Sequence, residues 1–271
     1  MCASKTDRTN PGFAARKAGV FKKDVSFLPK EEWIRTEMLL GAGTAALLAR
    51  RHVAVFGIGG VGGYVVEALA RSGVGELTLV DHDRVNLSNI NRQIIATHET
   101  VGQNKVDAAR ARVLQINPDC IVHTMALKYE ETNRDLFFAR RYDYIADCID
   151  LVKSKLDLIC TARERGIPIL SAMGTGNKLD PFQLRLADLS ETEGCGLARV
   201  MRKELRRRGV LHTDVVYSPE LPVKPAPLVE NDPGRRSTPA SCAWVPSCAG
   251  LMMGGRIVQE LLRTAGEGGS A

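Results

Sequence analysis

The chain has 271 residues, of which 44% are hydrophobic and 25% are charged, and its formal net charge is +6. This composition is typical of a globular protein with a sizeable core, and the length favours one large domain. No apolar run approaches the ~20 residues that a membrane-spanning helix requires, so we expect no membrane association. The N-terminal segment is basic and lacks the apolar stretch of a secretory signal. We interpret residues 1–30 as a flexible tail and residues 31–271 as a single domain.

Short apolar runs alternate with helical segments along the first two thirds of the chain. A helix interrupted at Gly41–Gly43 comes first, and further helices are predicted after a glycine-rich turn, from Gly102 to Asn117 and from Leu151 to Arg165. Strands are predicted at HVAVFG, ELTLVD, IVHTMAL, YDYIADC and IPILSAM. Strands that alternate with helices form parallel βαβ units. We therefore predict an α/β fold with a doubly wound, mostly parallel Rossmann-like sheet and helices on both faces.

This alternation ends after Asn177. Two further strands, at FQLRLADL and TDVVYS, flank a basic helix at LARVMRKELRRRG, and an apolar helix over Ala249–Leu262 closes the chain. The basic helix and a proline-rich loop from Pro219 to Pro239 are expected to form an insert over residues 190–240. A basic run of this kind is either a solvated helix face or a surface that contacts nucleic-acid phosphates.

A glycine-rich turn, GIGGVG, follows the first predicted strand and opens a helix. Gly57, Gly59 and Gly62 match G-x-G-x-x-G, in which the glycines permit a tight turn, close approach to a phosphate and close helix–strand packing. The helix N-terminus offers free N–H groups to an anion. Asp81 ends the second strand, where an acid binds ribose hydroxyls. These residues predict a bound nucleotide without identifying it.

The segment VDHDRVNLSNINRQ, which ends at Gln93, is more polar than ribose binding requires. Asn89 and Arg92 lie beyond the ribose acid, where a triphosphate would extend, and Lys105 opens the next helix. Asp150 ends the fourth strand, where it could hold Mg²⁺ against phosphate oxygens. ATP cleavage needs fixed cations and donors, whereas hydride transfer does not. Taken singly, each of these residues could instead be a surface or capping residue.

The succession GIGGVG, VDHDRVNLSNINRQ, GQNKV and DCID resembles the adenylating superfamily of ubiquitin-activating-type enzymes, which includes the ThiF, MoeB and HesA group. These enzymes make acyl-adenylates from a carboxylate and ATP. The resemblance implies that Asp81 binds ribose, that Asp150 is the acid associated with Mg²⁺, and that Arg92 and Lys105 act on the phosphates. Arg35, in RTEMLLG, would reach the ATP of the other subunit of a homodimer. The implied nucleotide-binding residues are Gly57, Gly59, Gly60, Gly62, Asp81, Asp83, Asn89, Arg92, Gln93, Lys105 and Asp150.

Two features narrow the resemblance to one family. ThiF and MoeB proteins usually carry two zinc-binding C-x-x-C pairs, and because this sequence has none, we expect no zinc. The motif order from Arg35 to Leu262 is similar to the tRNA threonylcarbamoyladenosine dehydratase family. That similarity implies ATP-dependent dehydration and cyclisation of threonylcarbamoyl-adenosine beside the anticodon of tRNA, through adenylation of the threonyl carboxylate. The basic helix would then contact tRNA through Arg199, Arg202, Lys203, Arg206, Arg207 and Arg208.

The seven scattered cysteines favour a reducing compartment, and we expect a cytoplasmic protein. Cys195 lies where protein-activating relatives place an acyl-accepting cysteine, and it is either a catalytic nucleophile or a small buried side chain. Cys242 is a second candidate, whereas Cys148 and Cys160 are interpreted as core. The five histidines show no metal-ligand spacing.

The main alternative activity is adenylation of the C-terminal Gly-Gly of a sulfur-carrier or ubiquitin-like protein. A nucleotide-binding module without turnover is a second alternative. A dehydrogenase is a third, which leaves Arg92, Lys105 and Asp150 unexplained. A sulfur-transfer or redox partner stays open.

Overall fold

The computed structural model describes residues 30–226 and 239–267. Its seven strands are β1 (His52–Phe56), β2 (Glu76–Val80), β3 (Ile121–Met125), β4 (Tyr144–Asp147), β5 (Ile169–Ala172), β6 (Arg185–Asp188) and β7 (Asp214–Tyr217). They form one sheet in the order β3-β2-β1-β4-β5-β7-β6. All neighbours pair parallel except β6 and β7, which pair antiparallel. The predicted mostly parallel sheet is confirmed.

The helices also follow the sequence pattern closely. They are α1 (Ile34–Leu40), α2 (Thr44–Leu48), α3 (Gly62–Arg71), α4 (Lys105–Ile116), α5 (Arg134–Phe137), α6 (Val152–Glu164), α7 (Gly196–Arg207) and α8 (Trp244–Glu267). The predicted break falls between α1 and α2, where Gly41 and Gly43 have φ values of 108° and 87°. Two elements differ from expectation. The one-turn helix α5 was not predicted, and α8 begins upstream of the apolar segment because Pro246 is tolerated in a first helical turn.

Strand β1 is buried on both faces of the sheet. Val53 and Val55 pack with α3, α4 and α8, whereas Ala54 and Phe56 pack into an aromatic cluster with α5 and α6. A third apolar cluster joins α6, α7 and β7. Helices therefore cover both faces, as a doubly wound sheet requires.

The strand order reverses between β1 and β4. In open parallel sheets, ligands bind at such a switch point, outside the carboxyl ends of the strands. The turn after Phe56 and the segment after Asp147 are therefore neighbours at the expected binding edge.

Among the described residues, no helix combines the length and the apolar character needed to cross a membrane. Residues 1–29 of the predicted tail lie outside the described ranges, as do residues 227–238 of the proline-rich loop. The predicted division into a tail and one domain therefore stays a prediction.

Candidate active site

A cleft of about 650 Å³ lies at the switch point of the sheet. It is lined by the turn after β1, the end of β2, the 89–93 segment, the start of α4 and the segment after β4. All the sequence-predicted nucleotide residues except Gly62 line it: Gly57, Gly59, Gly60, Asp81, Asp83, Asn89, Arg92, Gln93, Lys105 and Asp150. The fold thus brings together residues that span almost a hundred positions of sequence.

The glycine turn is closed by backbone contacts that exclude a side chain at two positions. Gly57 has a φ of 88°, and a Cβ there would lie 2.7 Å from the carbonyl oxygen of Cys148. A Cβ on Gly62 would lie 1.8 Å from the carbonyl oxygen of Gly57. Gly62 therefore packs α3 against the turn, behind the cleft wall. A Cβ added to Gly59 would meet only the side-chain amide of Gln93, at 3.9 Å. The backbone of Gly59 is therefore open to a ligand.

Asp81 is held at the end of β2 by two backbone donors. The Ile58 N–H donates to Oδ2 at 2.7 Å, and the Asp83 N–H donates to Oδ1 at 2.9 Å. A carboxylate has about four lone-pair sites, so both oxygens keep acceptor capacity. The fixed carboxylate suits the hydroxyl groups of a ribose.

Two cations of the cleft are positioned by local hydrogen bonds. Lys105 Nζ donates to Asp83 Oδ2 at 2.7 Å, and the lysine side chain is buried while the carboxylate is half-exposed. Arg92 Nη1 donates to the Ser88 carbonyl and to Asn91 Oδ1, each at 2.8 Å. Burial lowers the pKa of Arg92 from its usual value, but a guanidinium remains charged at neutral pH. The cleft therefore carries fixed positive charge.

The two predicted amide residues of the cleft, Asn89 and Gln93, have different environments. Asn89 Oδ1 accepts from the Asn86 N–H at 3.1 Å, so this asparagine caps its own turn, as the sequence allowed. Gln93 Oε1 is buried and has no hydrogen-bond partner among the described residues. A buried acceptor without a donor costs about 1–3 kcal/mol. A polar ligand that brings a donor would satisfy it.

A buried ion pair lies beneath the segment that carries Asp150. Lys155 Nζ donates to Asp147 Oδ2 at 2.6 Å, and both side chains are 0% exposed. Ser171 Oγ donates to the same oxygen at 2.6 Å, and the Ile149 N–H donates to Asp147 Oδ1 at 3.1 Å. These bonds fix the backbone just before Asp150, which is exposed to the cleft. The sequence did not single out this pair.

Sequence reasoning also missed the far wall of the cleft. It is formed by the segment after β5 and by residues that precede α8: Met173, Gly174, Thr175, Gly176, Pro239, Ala240 and Ser241. Gly174 and Gly176 could have indicated this wall from the sequence, because they follow the fifth predicted strand, which ends at the same edge of the sheet as β1 and β4. His82, Lys128 and Tyr129 complete the rim.

Besides Gly62, the predicted site residues Cys195, Cys242 and Arg35 are not part of the cleft lining. Cys195 is buried, caps α7 by accepting the Ala198 N–H on Sγ at 3.5 Å, and packs in the third apolar cluster. Its covalent role stays a prediction without support from this geometry. Cys242 Sγ contacts the Lys178 carbonyl at 3.7 Å. Arg35 is exposed on α1.

The basic helix α7 presents one groove lined by five cations: Arg199, Arg202, Lys203, Arg206 and Arg207. We call this groove the α7 surface. Arg208 does not line it, and both Arg207 and Arg208 form ion pairs with Glu204, at 2.8 and 3.0 Å. Arg202 Nη1 donates to the carbonyl and the hydroxyl of Thr192, at 2.5 and 2.6 Å, so it also anchors the preceding loop. Leu197, at the start of α7, lines the cleft.

The chain belongs to the ThiF family, whose model matches residues 35–267. It is 40% identical to the tRNA threonylcarbamoyladenosine dehydratase of Bacillus subtilis (strain 168), over 86% of this chain and 95% of that protein. The crystal structure of the E. coli tRNA N6-threonylcarbamoyladenosine dehydratase with ATP matches with a TM-score of 0.77 and 32% identity, over 86% of this chain and 94% of that chain. The complex of that enzyme with AMP matches with a TM-score of 0.78 and 31% identity, over 89% and 100%. The resemblance and the fold class drawn from the motifs are confirmed.

Proposed function

We propose that the protein is an ATP-dependent tRNA threonylcarbamoyladenosine dehydratase. The observation that carries this proposal is the cleft at the switch point, where a ribose-type acid, an open glycine turn and two fixed cations converge. The E. coli relative was crystallised with ATP, which is the substrate of adenylation, and with AMP, which is the leaving group of the ring-closing step that follows. The names of this enzyme and of the B. subtilis relative identify threonylcarbamoyladenosine in tRNA as the modified nucleoside.

The reaction proceeds in two steps that balance to the loss of one water. A threonyl carboxylate oxygen attacks the α-phosphate of ATP, and pyrophosphate leaves. The carbamoyl nitrogen or oxygen then attacks the acyl carbon and closes the ring, and one N–H proton is released to solvent. AMP is expelled and carries away the carboxylate oxygen of the substrate. Activation is needed because hydroxide is a poor leaving group. The second step is intramolecular and benefits from a high effective concentration.

Four charged residues of the cleft and the glycine turn have roles in this scheme. Asp81 binds the ribose, and the backbone of the glycine turn and the N-terminus of α3 receive phosphate oxygens. Arg92 and Lys105 stabilise the charge that develops on the α-phosphate and pyrophosphate. Asp150 would hold the Mg²⁺ that accompanies ATP, and carboxylate oxygens at the cleft suit this cation. Bound there, magnesium would neutralise part of the negative charge of the phosphates.

A homodimer completes the site in this proposal. Helix α1 exposes two large apolar side chains, Met38 at 80% and Leu39 at 84%, on a helix that also exposes Arg35. Residues three and four apart lie on one side of a helix, so the three side chains share a surface. Exposed apolar patches mark interaction sites. A second copy packed there by a two-fold axis would bring Arg35 towards the neighbouring cleft.

The tRNA would lie on the α7 surface. Its cations match the phosphate backbone, and α7 begins at the cleft with Leu197. Substrate held along this helix would enter the cleft at its far wall. We place the protein in the cytoplasm, since the six cysteines of the described ranges are free thiols.

The deciding measurement is release of AMP and pyrophosphate from ATP, with tRNA that carries the threonylcarbamoyl mark and with the same tRNA lacking it. The masses of the nucleosides from the digested product are measured by mass spectrometry. We expect release only with the marked tRNA, together with the loss of one water from the modified nucleoside. Equal release of AMP and pyrophosphate with the marked and the unmarked tRNA would overturn the proposal. Dependence on a carrier protein ending in Gly-Gly would favour the alternative activity instead.

A further inference from the structure

Three side chains of the types that can ligate metals meet at the amino-terminal edge of the sheet. His52 opens β1, Glu76 opens β2 and His123 lies in β3. The strand register pairs His52 with Glu76, and Thr78 with His123. Because paired residues and residues two apart in a strand point to the same face, all these side chains share one face of the sheet. One ligand atom from each of the two histidines and the glutamate lies within 4.8 Å of the others.

We propose that His52, Glu76 and His123 bind a divalent first-row transition metal, with Zn²⁺ as the representative ion. Two imidazole nitrogens and one carboxylate oxygen form a known zinc ligand set that leaves a fourth position open. The site is independent of the proposed dehydratase activity. It lies about 13 Å or more from the nucleotide cleft, because four strand steps of ~3.3 Å separate His52 from the end of β1.

The distances suit a tetrahedral ion. His52 Nδ1 lies 3.4 Å from Glu76 Oε1, and His123 Nε2 lies 2.8 Å from the same oxygen. With metal bonds of about 2.0–2.1 Å, tetrahedral ligand atoms are about 3.3 Å apart, so the second distance must widen by about 0.5 Å. His123 and Glu76 are partly exposed and can make this adjustment.

Neighbouring residues orient the buried ligand. His52 Nε2 lies 2.9 Å from Thr78 Oγ1, and the His52 ring packs edge-on against Tyr142 with centroids 4.9 Å apart. When Nε2–H donates to the threonine hydroxyl, Nδ1 keeps its lone pair on the side of Glu76. Ligating histidines are commonly fixed through their second ring nitrogen in this way. Glu76 and His123 are reached from solvent, so an ion can enter without unfolding the sheet.

A metal here would tie the amino ends of three adjacent strands. Binding to the folded chain alone stabilises it by mass action. The only other group of this kind among the described residues is Asp81, His82 and Asp83 at the cleft, and a test must separate the two sites.

The test uses chelator-treated, full-length protein and measures Zn²⁺ binding by calorimetry, Tm with and without Zn²⁺, and the visible spectrum with Co²⁺. We expect one Zn²⁺ per chain at this site, a rise in Tm and Co²⁺ bands. His123→Asn should abolish all three. Thr78→Val should weaken binding by about 10–100-fold through loss of ring orientation.

Matched controls are His98→Asn, on an exposed loop, and His82→Asn, at the cleft. Both should bind Zn²⁺ as the wild type does at the sheet edge. Glu76→Gln provides a second ligand variant should His123→Asn fold poorly. The proposal is overturned when the wild type shows no Zn²⁺-dependent rise in Tm, or when both ligand variants bind Zn²⁺ as tightly as the wild type.

Discussion

At the residue scale, two buried lysines show how surroundings separate a binding role from a structural one. Lys105 pairs with a half-exposed carboxylate and lines the cleft, so its Nζ can contact a phosphate oxygen while it remains paired. Lys155 pairs with Asp147, and neither side chain reaches solvent. The first lysine is expected to act on a ligand, and the second to hold the fold.

Lys105→Met should reduce AMP release with marked tRNA by about 10²–10³-fold, because it removes one fixed charge from the transition state of adenylation. The unfolding midpoint in urea reports whether the fold is kept. Arg110→Met is the matched control, since Arg110 is an exposed cation of the same helix and should leave the rate unchanged. Equal rates for the two variants would refute the role of Lys105.

Lys155→Met should lower the free energy of unfolding by about 3–5 kcal/mol, because it leaves the Asp147 carboxylate buried without its counter-charge. The double variant Asp147→Asn/Lys155→Met removes both charges and should lose less. Urea denaturation of the two variants and the wild type checks this order. A single variant as stable as the double one would contradict it. Arg185→Met, in the exposed pair with Glu193, should show no measurable change.

At the element scale, the basic residues of helix α7 and its C-terminus have different surroundings. Lys203 and Arg206 are exposed on the α7 surface, whereas Arg202 also anchors the loop at Thr192. Arg208 does not line the groove, and it shares Glu204 with Arg207, which does. The amino-acid sequence alone does not distinguish these basic residues from one another. The helical phase decides which of them can meet phosphates together.

The double variant Lys203→Ala/Arg206→Ala should weaken tRNA binding and make its salt dependence shallower. The slope of log K against log salt concentration should fall by about one unit for each lost phosphate contact. Filter binding or anisotropy at several salt concentrations measures it. Arg50→Ala/Arg110→Ala removes the same charge elsewhere and should keep the wild-type slope. Equal slopes for the two double variants would exclude α7 from the tRNA interface.

At the scale of the whole molecule, the proposed dimer makes each cleft depend on two chains. Arg35→Ala and Lys105→Met should each be inactive alone. Mixed and allowed to exchange subunits, they should recover about a quarter of the wild-type activity, because half of the dimers are hybrids with one intact cleft of two. AMP release before and after mixing measures the recovery.

Leu39→Asp keeps the cleft residues but places a charge on the exposed face of α1. It should shift the protein to monomers in analytical ultracentrifugation and abolish the recovery on mixing. Two outcomes would show that Arg35 does not act across the interface. One is recovery of AMP release in a mixture of monomeric chains, and the other is no recovery although the two variants exchange subunits.

Features that depend on neighbours along the chain could be predicted from the amino-acid sequence alone. Alternating apolar runs specified the strands and helices, and the turn Gly57–Gly62 with Asp81 located the nucleotide end of the sheet. Local backbone geometry is enough for both, because a tight turn and a helix start need particular residues at fixed spacing. The start of α8 was not located in this way, because the helix begins at Trp244 and includes Pro246, upstream of the predicted apolar segment.

Features that depend on residues far apart in sequence became visible only in the folded chain. His52, Glu76 and His123 have no ligand spacing in sequence, and only the register of three parallel strands brings them together. Lys153 and Lys155 look alike in sequence, yet the phase of α6 exposes one and buries the other against Asp147. Register and helical phase are set by the burial of apolar side chains across the whole sheet, a cooperative property that no local stretch of sequence contains.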